Sequence, residues 1–450
     1  MPRLRLVTSL ALAATLAGCT ALLPSETASP AASVTPSAEP TAEQPTAAAP
    51  PSPSPTFVSA PPTPTPTGTP VAQQSTAPSP TSTTADGSVN WHELNGDRGL
   101  GDVLYVDGMT SANGRLVAVG EIGQSEFDES YVIWTSDNGT DWTAVNPPID
   151  NKTEFEPDVY YVTATRDGFL AGGDVVQKAT SASRGTVWLS SDGLRWDEVP
   201  VPFAPSPVYR VGDSLAVDDF DGTVWTSDDG RQWQQHQVAT TSPVDTLVQG
   251  ADPLLSLTQA GEANNPVGPV TGWTTTDGVT WAPTGWTFGT ASEWPVLSAA
   301  SDGPNVAALL RNPKQYSNAR KVWTLGNGQW ASSQNSPQGA WTIAATSAGF
   351  AAVGDCTWPD EDPDDDFDAK GVLWTSPDGQ RWSWVGSSER GAAAQLTIEF
   401  KGKLIGLGRD NERYYANHPA GAVWVADLPP AGLAWPDTGN EPPTTVCEDR

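Results

Sequence analysis

The sequence predicts an all-β protein, a seven-bladed β-propeller of four-stranded antiparallel blades, and three observations lead to it. First, a ten-residue stretch, Val224 to Trp233, recurs along the chain with small changes. Second, the first tryptophan of each copy follows the previous one after 37 to 54 residues, at Trp134, Trp188, Trp225, Trp273, Trp323, Trp374 and Trp424. Third, short apolar and β-branched runs alternate with turn residues inside each unit. Four short strands per repeat at this period are typical of propeller blades.

Six copies contain an Asp-Gly or Asn-Gly dipeptide between two aromatic or β-branched segments. They are Asn138-Gly139, Asp192-Gly193, Asp229-Gly230, Asp277-Gly278, Asn327-Gly328 and Asp378-Gly379. Such dipeptides favour two-residue type I′ turns, because both central residues need a positive φ. We therefore expect a hairpin between the third and fourth strands, c and d, of each of these blades, with all six turns on one face of the propeller.

The core of the repeat resembles the Asp-box, or BNR repeat, of sialidase-like propellers. That motif is Ser or Thr, any residue, Asp, any residue, Gly, two further residues, then Trp or Phe. Two copies fit it, with Thr135, Asp137, Gly139 and Trp142 in one and Thr226, Asp228, Gly230 and Trp233 in the other. Other copies have Ser191, Thr276 or Pro377 at the Asp position. The resemblance spans about residues 100 to 435 and implies a propeller whose box turns lie away from the active site.

The resemblance does not extend to sialidase catalysis. That family needs three arginines, a Tyr–Glu nucleophile pair, an Asp acid/base and an aromatic-Arg-Ile-Pro motif near its start, and no such motif occurs here. We therefore expect a binding or scaffolding module for glycans or envelope proteins rather than an enzyme. A sialidase-like glycoside hydrolase and an assembly factor for an envelope complex are the alternatives.

Residues 1–19 are expected to be a lipoprotein signal peptide. Arg3 and Arg5 precede an apolar run, Leu6 to Leu16, that is too short to span a bilayer. The sequence Leu16-Ala17-Gly18-Cys19 resembles a bacterial lipobox, which implies cleavage before Cys19 and acylation of its sulfur. An ordinary secretory signal with an incidental cysteine is the alternative. Because two or more acyl chains anchor a protein stably, we expect a lipid-anchored protein on the extracytoplasmic face of the cell membrane.

Three further segments follow. Residues 20–88 are rich in Pro, Ser, Thr and Ala and contain no Lys or Arg, which predicts a disordered linker. The propeller is expected over residues 89–435 and a C-terminal tail over residues 436–450. Blade seven lacks an outer strand of its own, and Val89 to Leu94 resembles one. We expect this N-terminal segment to complete blade seven and close the ring.

Charge and cysteine content restrict the partners and the compartment. The chain has 53 acidic and 23 basic residues, a formal net charge of −30. This argues against a nucleic-acid partner, which needs basic patches, and suits an exported domain or a cation binder. With Cys19 acylated, Cys356 and Cys447 are left to form a disulfide that ties the tail to blade six. Two unpaired thiols are the alternative.

The loops between the second and third strands, b and c, are long and unequal, and function usually lies on such loops. We expect aromatic rings there and just before blade five to bind a sugar or partner, at Trp358, Tyr414, Tyr415 and Trp286. The alternative is that these rings only pack the loops. Charged residues follow the b strands, at Arg311 and Arg409 and at Glu121, Asp174, Asp218 and Asp355, and predict a mixed ring near the axis that clamps a small ligand.

No cofactor is expected, and Ca²⁺ is a weak candidate. Asp364, Asp366 and Asp368 have the alternate spacing of a calcium loop. Ala369, however, stands where such a loop needs glycine, and no Glu closes it, so the acidic run is more typical of a solvated segment. The histidines His92, His236 and His418 form no zinc motif.

Overall fold

The computed structural model describes residues 90–94, 98–123, 129–149, 152–203, 206–219, 223–237, 245–248, 250–262, 265–289, 295–311, 319–356, 370–387, 392–410, 420–430 and 432–437. Within these ranges the chain forms 28 strands in seven antiparallel four-stranded sheets. The predicted all-β, seven-bladed propeller is therefore confirmed. No described segment is a helix that is long and apolar enough to cross a bilayer.

The blades are numbered along the chain, with strands a to d from the axis outwards. Blade one has β2 (Val103–Ala112), β3 (Arg115–Gly123), β4 (Glu129–Ser136) and β5 (Thr143–Val145). Blade two has β6 (Phe155–Ala164), β7 (Phe169–Gln177), β8 (Ser183–Ser190) and β9 (Asp197–Pro200). Blade three has β10 (Tyr209–Val211), β11 (Ser214–Asp219), β12 (Thr223–Ser227) and β13 (Gln234–Gln237). Blade four has β14 (Thr246–Leu247), β15 (Leu254–Glu262), β16 (Asn265–Thr275) and β17 (Ala282–Phe288).

The remaining blades follow the same order. Blade five has β18 (Val296–Ser301), β19 (Val306–Arg311), β20 (Arg320–Gly326) and β21 (Gln329–Ser332). Blade six has β22 (Ala340–Thr346), β23 (Gly349–Cys356), β24 (Lys370–Ser376) and β25 (Ser383–Ser387). Blade seven has β26 (Ala392–Phe400), β27 (Lys403–Asp410), β28 (Ala420–Asp427) and, as its outer strand, β1 (His92–Glu93).

The N-terminal strand closes the ring as predicted. His92 and Glu93 pair with Val425 and Trp424 of β28, and the Leu94 N–H donates to the Val423 carbonyl at 2.8 Å. One apolar cluster contains residues of both blade one and blade seven, so these two blades also pack on each other. The last blade thus has a fourth strand, so its c strand is not an open edge.

Each blade buries both of its faces against neighbours, which explains the apolar b strands. On β3, Val117 and Val119 pack into the cluster shared with blade two, and Leu116 and Ala118 pack into the cluster shared with blade seven. Successive residues of a strand point to opposite faces, so a strand buried on both sides has no polar alternation. The c-strand tryptophans, such as Trp134, fill the interface with the preceding blade.

The c–d turns lie where they were predicted, but five of the six are not type I′. Both central residues have a positive φ only at Asn327 and Gly328, at 51° and 75°. In the other copies the glycine alone has a positive φ, and a Ser or Thr three residues earlier accepts its N–H at 2.8–2.9 Å. The side chain before the glycine accepts from the next backbone amides, as Asp229 does from Arg231 and Gln232 at 2.8 and 2.9 Å.

These contacts correct the residue assignment within the repeat. Asp137 and Asp228, which occupy the Asp position of the box, do not hold the turn. Asp137 binds Arg115, and Asp228 accepts from the Ser214 hydroxyl at 2.7 Å. In all five copies the residue directly before the glycine accepts backbone N–H groups that follow the turn. The copies whose acid stands one position after the Asp position of the box are therefore the regular ones.

Two predicted b–c loops are mostly strand. The stretch 258–270 belongs largely to β15 and β16, and 174–185 belongs largely to β7 and β8. Both pairs of strands form hairpins with only short connections at their tips. Polar residues such as Gln259 pair within the ladder there, which is why the polar composition looked like a loop.

Candidate functional site on the loop face

The face that carries the b–c and d–a connections, here called the loop face, has a ring of polar side chains at one register position. In each blade a b-strand residue pairs with the c-strand tryptophan, as Ala118 pairs with Trp134. The residue three positions later is Glu121, Asp174, Gln259, Arg311, Asp355 or Arg409 in six of the blades. Five of them were predicted for the ring. Asp218 was predicted for the ring but does not lie at the ring position. In blade three Val217 pairs with Trp225, and Asp218 follows Val217 directly instead of three positions later. Gln259 was missed.

A β-bulge lies beside this position on the a strand of five blades. The pairing shifts around one extra residue, which is Asp107, Tyr160, Leu297, Trp341 or Gln395. The extra residue of a bulge is left out of the ladder and its side chain is re-aimed. Each of these blades therefore places one bulged a-strand residue next to one ring residue. Single-sequence periodicity carries no clear signal of a one-residue bulge, so this feature was not predicted.

Glycines permit the bulge. Gly173 and Gly408 directly precede ring residues, and a Cβ at these positions would collide with the Asp158 and Ala393 carbonyl oxygens. The bulged a strand comes so close to the b strand that a side chain does not fit. The recurring small residue before Glu121, Asp174, Asp355 and Arg409 is thus a signal of the site in the sequence, although its meaning is clear only in three dimensions.

Between blades one and two the loop face is acidic and aromatic. Tyr131 pairs in register with Glu121, and its hydroxyl is hydrogen-bonded to that carboxylate. The rings of Tyr131 and Tyr160 meet edge to face at 5.6 Å between centroids, and the Tyr160 hydroxyl donates to Asp158 at 3.4 Å. Asp158 pairs in register with Asp174.

Burial and neighbouring carboxylates set the ionisation of this group. Burial, together with the charges of Glu121 and Asp158, raises the pKa of Tyr131 far above its usual value. Burial raises the pKa of Tyr160 as well, helped by Asp158 and Asp174. Burial alone raises the pKa of the Asp174 carboxyl. A nucleophilic side chain is activated by a base or by a lowered pKa, so the shifts of both tyrosines favour neutral hydrogen-bond donors over nucleophiles.

Between blades five and six the loop face is cationic and aromatic. Trp341 is 37% exposed, its indole N–H donates to Asp355 at 3.1 Å, and the Arg320 guanidinium lies 4.8 Å from its ring centroid. Arg311 pairs with Arg320, and burial lowers the pKa of the Arg311 guanidinium. Arg311 was predicted from the sequence, whereas Trp341 was not, because its position depends on the bulge in β22.

Arg409 connects blade seven to blade one. Its guanidinium lies 5.2 Å from the Tyr105 ring centroid and donates to the Leu104 carbonyl at 3.3 Å. Tyr105 pairs in register with Glu121. On this side the polar ring therefore continues through Tyr105 and Glu121 to Tyr131 and Tyr160 of blades one and two.

Other predicted site residues fall elsewhere. Trp286 lies on the outer strand β17 and is half-buried against the cluster shared by blades four and five. Cys356 ends β23 and is disulfide-bonded. The residues Cys19, Trp358, Asp364, Asp366, Asp368, Tyr414, Tyr415 and Cys447 lie outside the described ranges. The Cys356–Cys447 pairing thus stays a prediction, as do the aromatic loop contacts.

Two other kinds of site have little support in the described residues. No group of three or more His, Cys, Asp or Glu there is arranged to hold a metal ion. A groove of about 650 Å³ runs along the outer side of blade two. Its charged side chains pair with one another, Arg184 with Glu198 and Arg231 with Asp197, so they are not arranged to receive a charged ligand.

No family model and no curated protein matches the sequence. Among solved structures, the chain is similar to a catalytically inactive virginiamycin B lyase from Staphylococcus aureus with quinupristin, at 13% identity, 76% coverage of this chain, 100% of that chain and a TM-score of 0.45. It is similar to the polysaccharide lyase Uly1 at 8% identity, with 73% and 91% coverage and a TM-score of 0.45. It is also similar to a GH74 xyloglucanase from Xanthomonas campestris at 13% identity, with 74% and 55% coverage and a TM-score of 0.40. The fold assignment rests on the strand pairing.

Proposed function

We propose that this protein is a lipid-anchored β-propeller on the extracytoplasmic face of the cell membrane that serves as a binding or scaffolding module. Its ligand or partner, a glycan or an envelope protein, binds the loop face. The lipobox-like sequence ending at Cys19 supports the anchor, and the Pro-rich segment of residues 20–88 supports a tether between membrane and propeller.

The binding proposal rests on the difference between the loop face and the opposite face, here called the turn face, which contains the c–d turns. On the turn face, the polar side chains of the c–d turns are used by the turns themselves, as Ser227 and Asp229 are. On the loop face, the bulges and the ring position place polar and aromatic side chains together where no turn requires them. Trp341, flanked by Arg320 and Asp355, offers an exposed indole surface with hydrogen-bonding groups beside it. Such a set suits a sugar ring or an anchoring side chain of a partner.

The binding face is tested by comparing variants of its two sides. The full chain is screened on an array of envelope glycans and by crosslinking to envelope proteins, and the strongest hit is titrated. Trp341→Ala is expected to weaken binding roughly tenfold or more if it is a hot spot. Leu194→Ala, on the turn face and 44% exposed, is the control and should leave affinity unchanged. Loss of binding in the Leu194 variant, with none in the Trp341 variant, would place the binding face on the opposite side.

The anchor has its own test. Cys19→Ser should release the protein into the medium or stall its processing, because the acylated sulfur is gone. A variant that stays bound to membranes as tightly as wild type would disprove the anchor. Sialidase and glycosidase assays on the same preparations address the enzyme alternative, and turnover that disappears in Glu121→Gln would favour it over a binding module.

A further inference from the structure

We propose that Asn327 is a site of spontaneous covalent modification, at which the side chain loses ammonia and the residue becomes aspartate or isoaspartate. Asn327 and Gly328 form the c–d turn of blade five, so the site lies on the turn face and is independent of whatever the loop face binds. Two other Asn-Gly turns in the described part of the chain, Asn113-Gly114 and Asn138-Gly139, allow a comparison. A further dipeptide, Asn95-Gly96, lies outside the described ranges.

The reaction needs an accessible asparagine amide and an accessible backbone nitrogen after it. The Gly328 nitrogen loses its proton to solvent and attacks the amide carbon of Asn327. A C–N bond forms and the C–NH₂ bond breaks, and ammonia leaves after taking up a proton from solvent. Water then opens the succinimide ring at either carbonyl, which gives aspartate or isoaspartate. Ammonia is exchanged for water, so no oxidant or reductant is needed.

Both groups are accessible in blade five. Asn327 and Gly328 are exposed, and the Asn327 side chain and the Gly328 N–H make no hydrogen bond within the described part of the chain. A Cβ at Gly328 would meet nothing within 4 Å, so its nitrogen is open to solvent. In the other five copies a Ser or Thr hydroxyl three residues before the glycine accepts its N–H. Leu325 stands at that position in blade five and has no acceptor to offer.

The same dipeptide is protected in blade one. The Gly139 N–H donates to the Ser136 hydroxyl at 2.8 Å. The Asn138 Oδ1 accepts the N–H groups of Thr140 and Asp141 at 2.8 and 2.9 Å, and its Nδ2 donates to the Asp141 carboxylate at 2.8 Å. These bonds must break before the Gly139 nitrogen can attack the Asn138 amide. Their combined loss on the way to the transition state is expected to slow the reaction roughly tenfold or more.

Asn113 and Gly114, the a–b turn of blade one, lie between these two cases. Both have a positive φ, at 52° and 73°, as Asn327 and Gly328 do. The Asn113 Nδ2 donates to the Ser191 carbonyl at 3.3 Å, whereas a Cβ at Gly114 would meet nothing within 4 Å. The amide is held but the following nitrogen is open. The expected order of reaction is therefore Asn327, then Asn113, then Asn138.

Isoaspartate at position 327 is expected to disturb blade five, whereas aspartate is not. The isoaspartate backbone is one methylene longer, so the pairing of Gly326 with Gln329 cannot be kept. Trp330 follows directly, packs against the cluster shared by blades four and five, and stacks on Phe288 with 4.0 Å between ring centroids. Isoaspartate thus loosens the outer strand β21. Aspartate keeps the normal backbone and tolerates a positive φ.

The test ages the full chain at mildly alkaline pH in H₂¹⁸O and then maps its peptides in ordinary water, by mass spectrometry that separates aspartate from isoaspartate. We expect Asn327 to convert roughly tenfold or more faster than Asn138, with both products present and labelled with ¹⁸O. Ser136→Ala removes the acceptor of the Gly139 N–H, so it should accelerate the reaction at Asn138 and leave Asn327 unchanged. Chain kept in urea is the control, and there the three rates should converge.

The site is disproved if Asn327 converts no faster than Asn138 in the native chain, or if aspartate forms without isoaspartate, which would mean direct hydrolysis. An unchanged rate at Asn138 in Ser136→Ala would refute protection by the turn. Thermal melting checks that this variant is folded. Asp141→Ala, which frees the Asn138 Nδ2, is the exposed second variant and should also accelerate the reaction at Asn138. Aged protein that melts at the same temperature as Asn327→Asp would refute the loosening of β21.

Discussion

At the residue scale, the turn carboxylates are used for their oxygen atoms more than for their charge. Asp229 accepts two backbone N–H groups, and Asn138 accepts two at the equivalent position of blade one. We expect Asp229→Ala to lower the free energy of unfolding by about 1 kcal/mol, as for the loss of a helix cap, and Asp229→Asn to lower it much less. Urea unfolding at neutral pH measures both. Equal losses in the two variants would show that the charge, not the acceptor, stabilises the turn.

The pH dependence of stability separates Asp229 from Asp174. Backbone N–H groups of Gln232 and Arg231 lower the pKa of Asp229, so its contribution is present above the unfolded value and lost as the pH falls through the folded pKa. Burial raises the pKa of Asp174, so its ionisation lowers stability as the pH rises from the unfolded value of 3.8 through the folded pKa.

We therefore expect Asp174→Asn to be at least as stable as wild type at pH 7, with this advantage fading below the ordinary Asp pKa. Asp229→Asn should show the opposite trend, with its largest deficit at neutral pH. Urea unfolding of both variants between acid and neutral pH measures the two slopes. Slopes of the same sign would mean that Asp174 is not held in an environment that disfavours its charge.

At the element scale, the bulged a strand and the b-strand glycine form one unit. A Cβ at Gly173 would meet the Asp158 carbonyl oxygen and the backbone of Val159. Gly173→Ala must therefore push the a strand away from the b strand, and we expect a loss of roughly 1–3 kcal/mol in the free energy of unfolding. Gly386→Ala on β25 is the matched control, because a Cβ there meets nothing within 4 Å. Equal stability of the Gly173 and Gly386 variants in thermal melts would disprove this role of the glycine.

Some elements of the fold and of the candidate site could be predicted from the sequence, and others could not. The spacing of the tryptophans predicted the blades, and the missing outer strand of blade seven predicted the closing strand. Both could be predicted because each is a pattern that extends over whole strands. The register of the ring could not be predicted in the same way, because blade three pairs Val217 with Trp225, whereas Asp218 would occupy the ring position only if Leu215 did so. Trp341 and Tyr160 gained their positions from bulges, and a bulge reverses the alternation that single-sequence reasoning relies on. The long hairpin of β15 and β16 was mistaken for a loop because its tip is polar.

At the scale of the whole molecule, the N-terminal segment joins the two ends of the ring. Trp91 packs against the cluster shared by blades six and seven, and Leu94 packs against the cluster shared by blades one and seven. The strand between them pairs only His92 and Glu93, so packing contributes more to closure than the ladder does. The C-terminal segment adds a second attachment, because buried Trp435 donates to the Thr346 hydroxyl at 2.9 Å.

Closure is therefore expected to depend on Trp91. Trp91→Ala should lower the free energy of unfolding by about 1–3 kcal/mol, since the ring is half-buried and a cavity replaces it. Trp341→Ala, which removes an exposed indole, is the control and should cost much less. Deletion of residues 90–94 should have a larger effect than Trp91→Ala and should also leave β28 as an open edge that pairs with other chains, so sedimentation should detect oligomers. A deletion variant that melts at the wild-type temperature and stays monomeric would show that the contact between blades one and seven closes the ring without this strand.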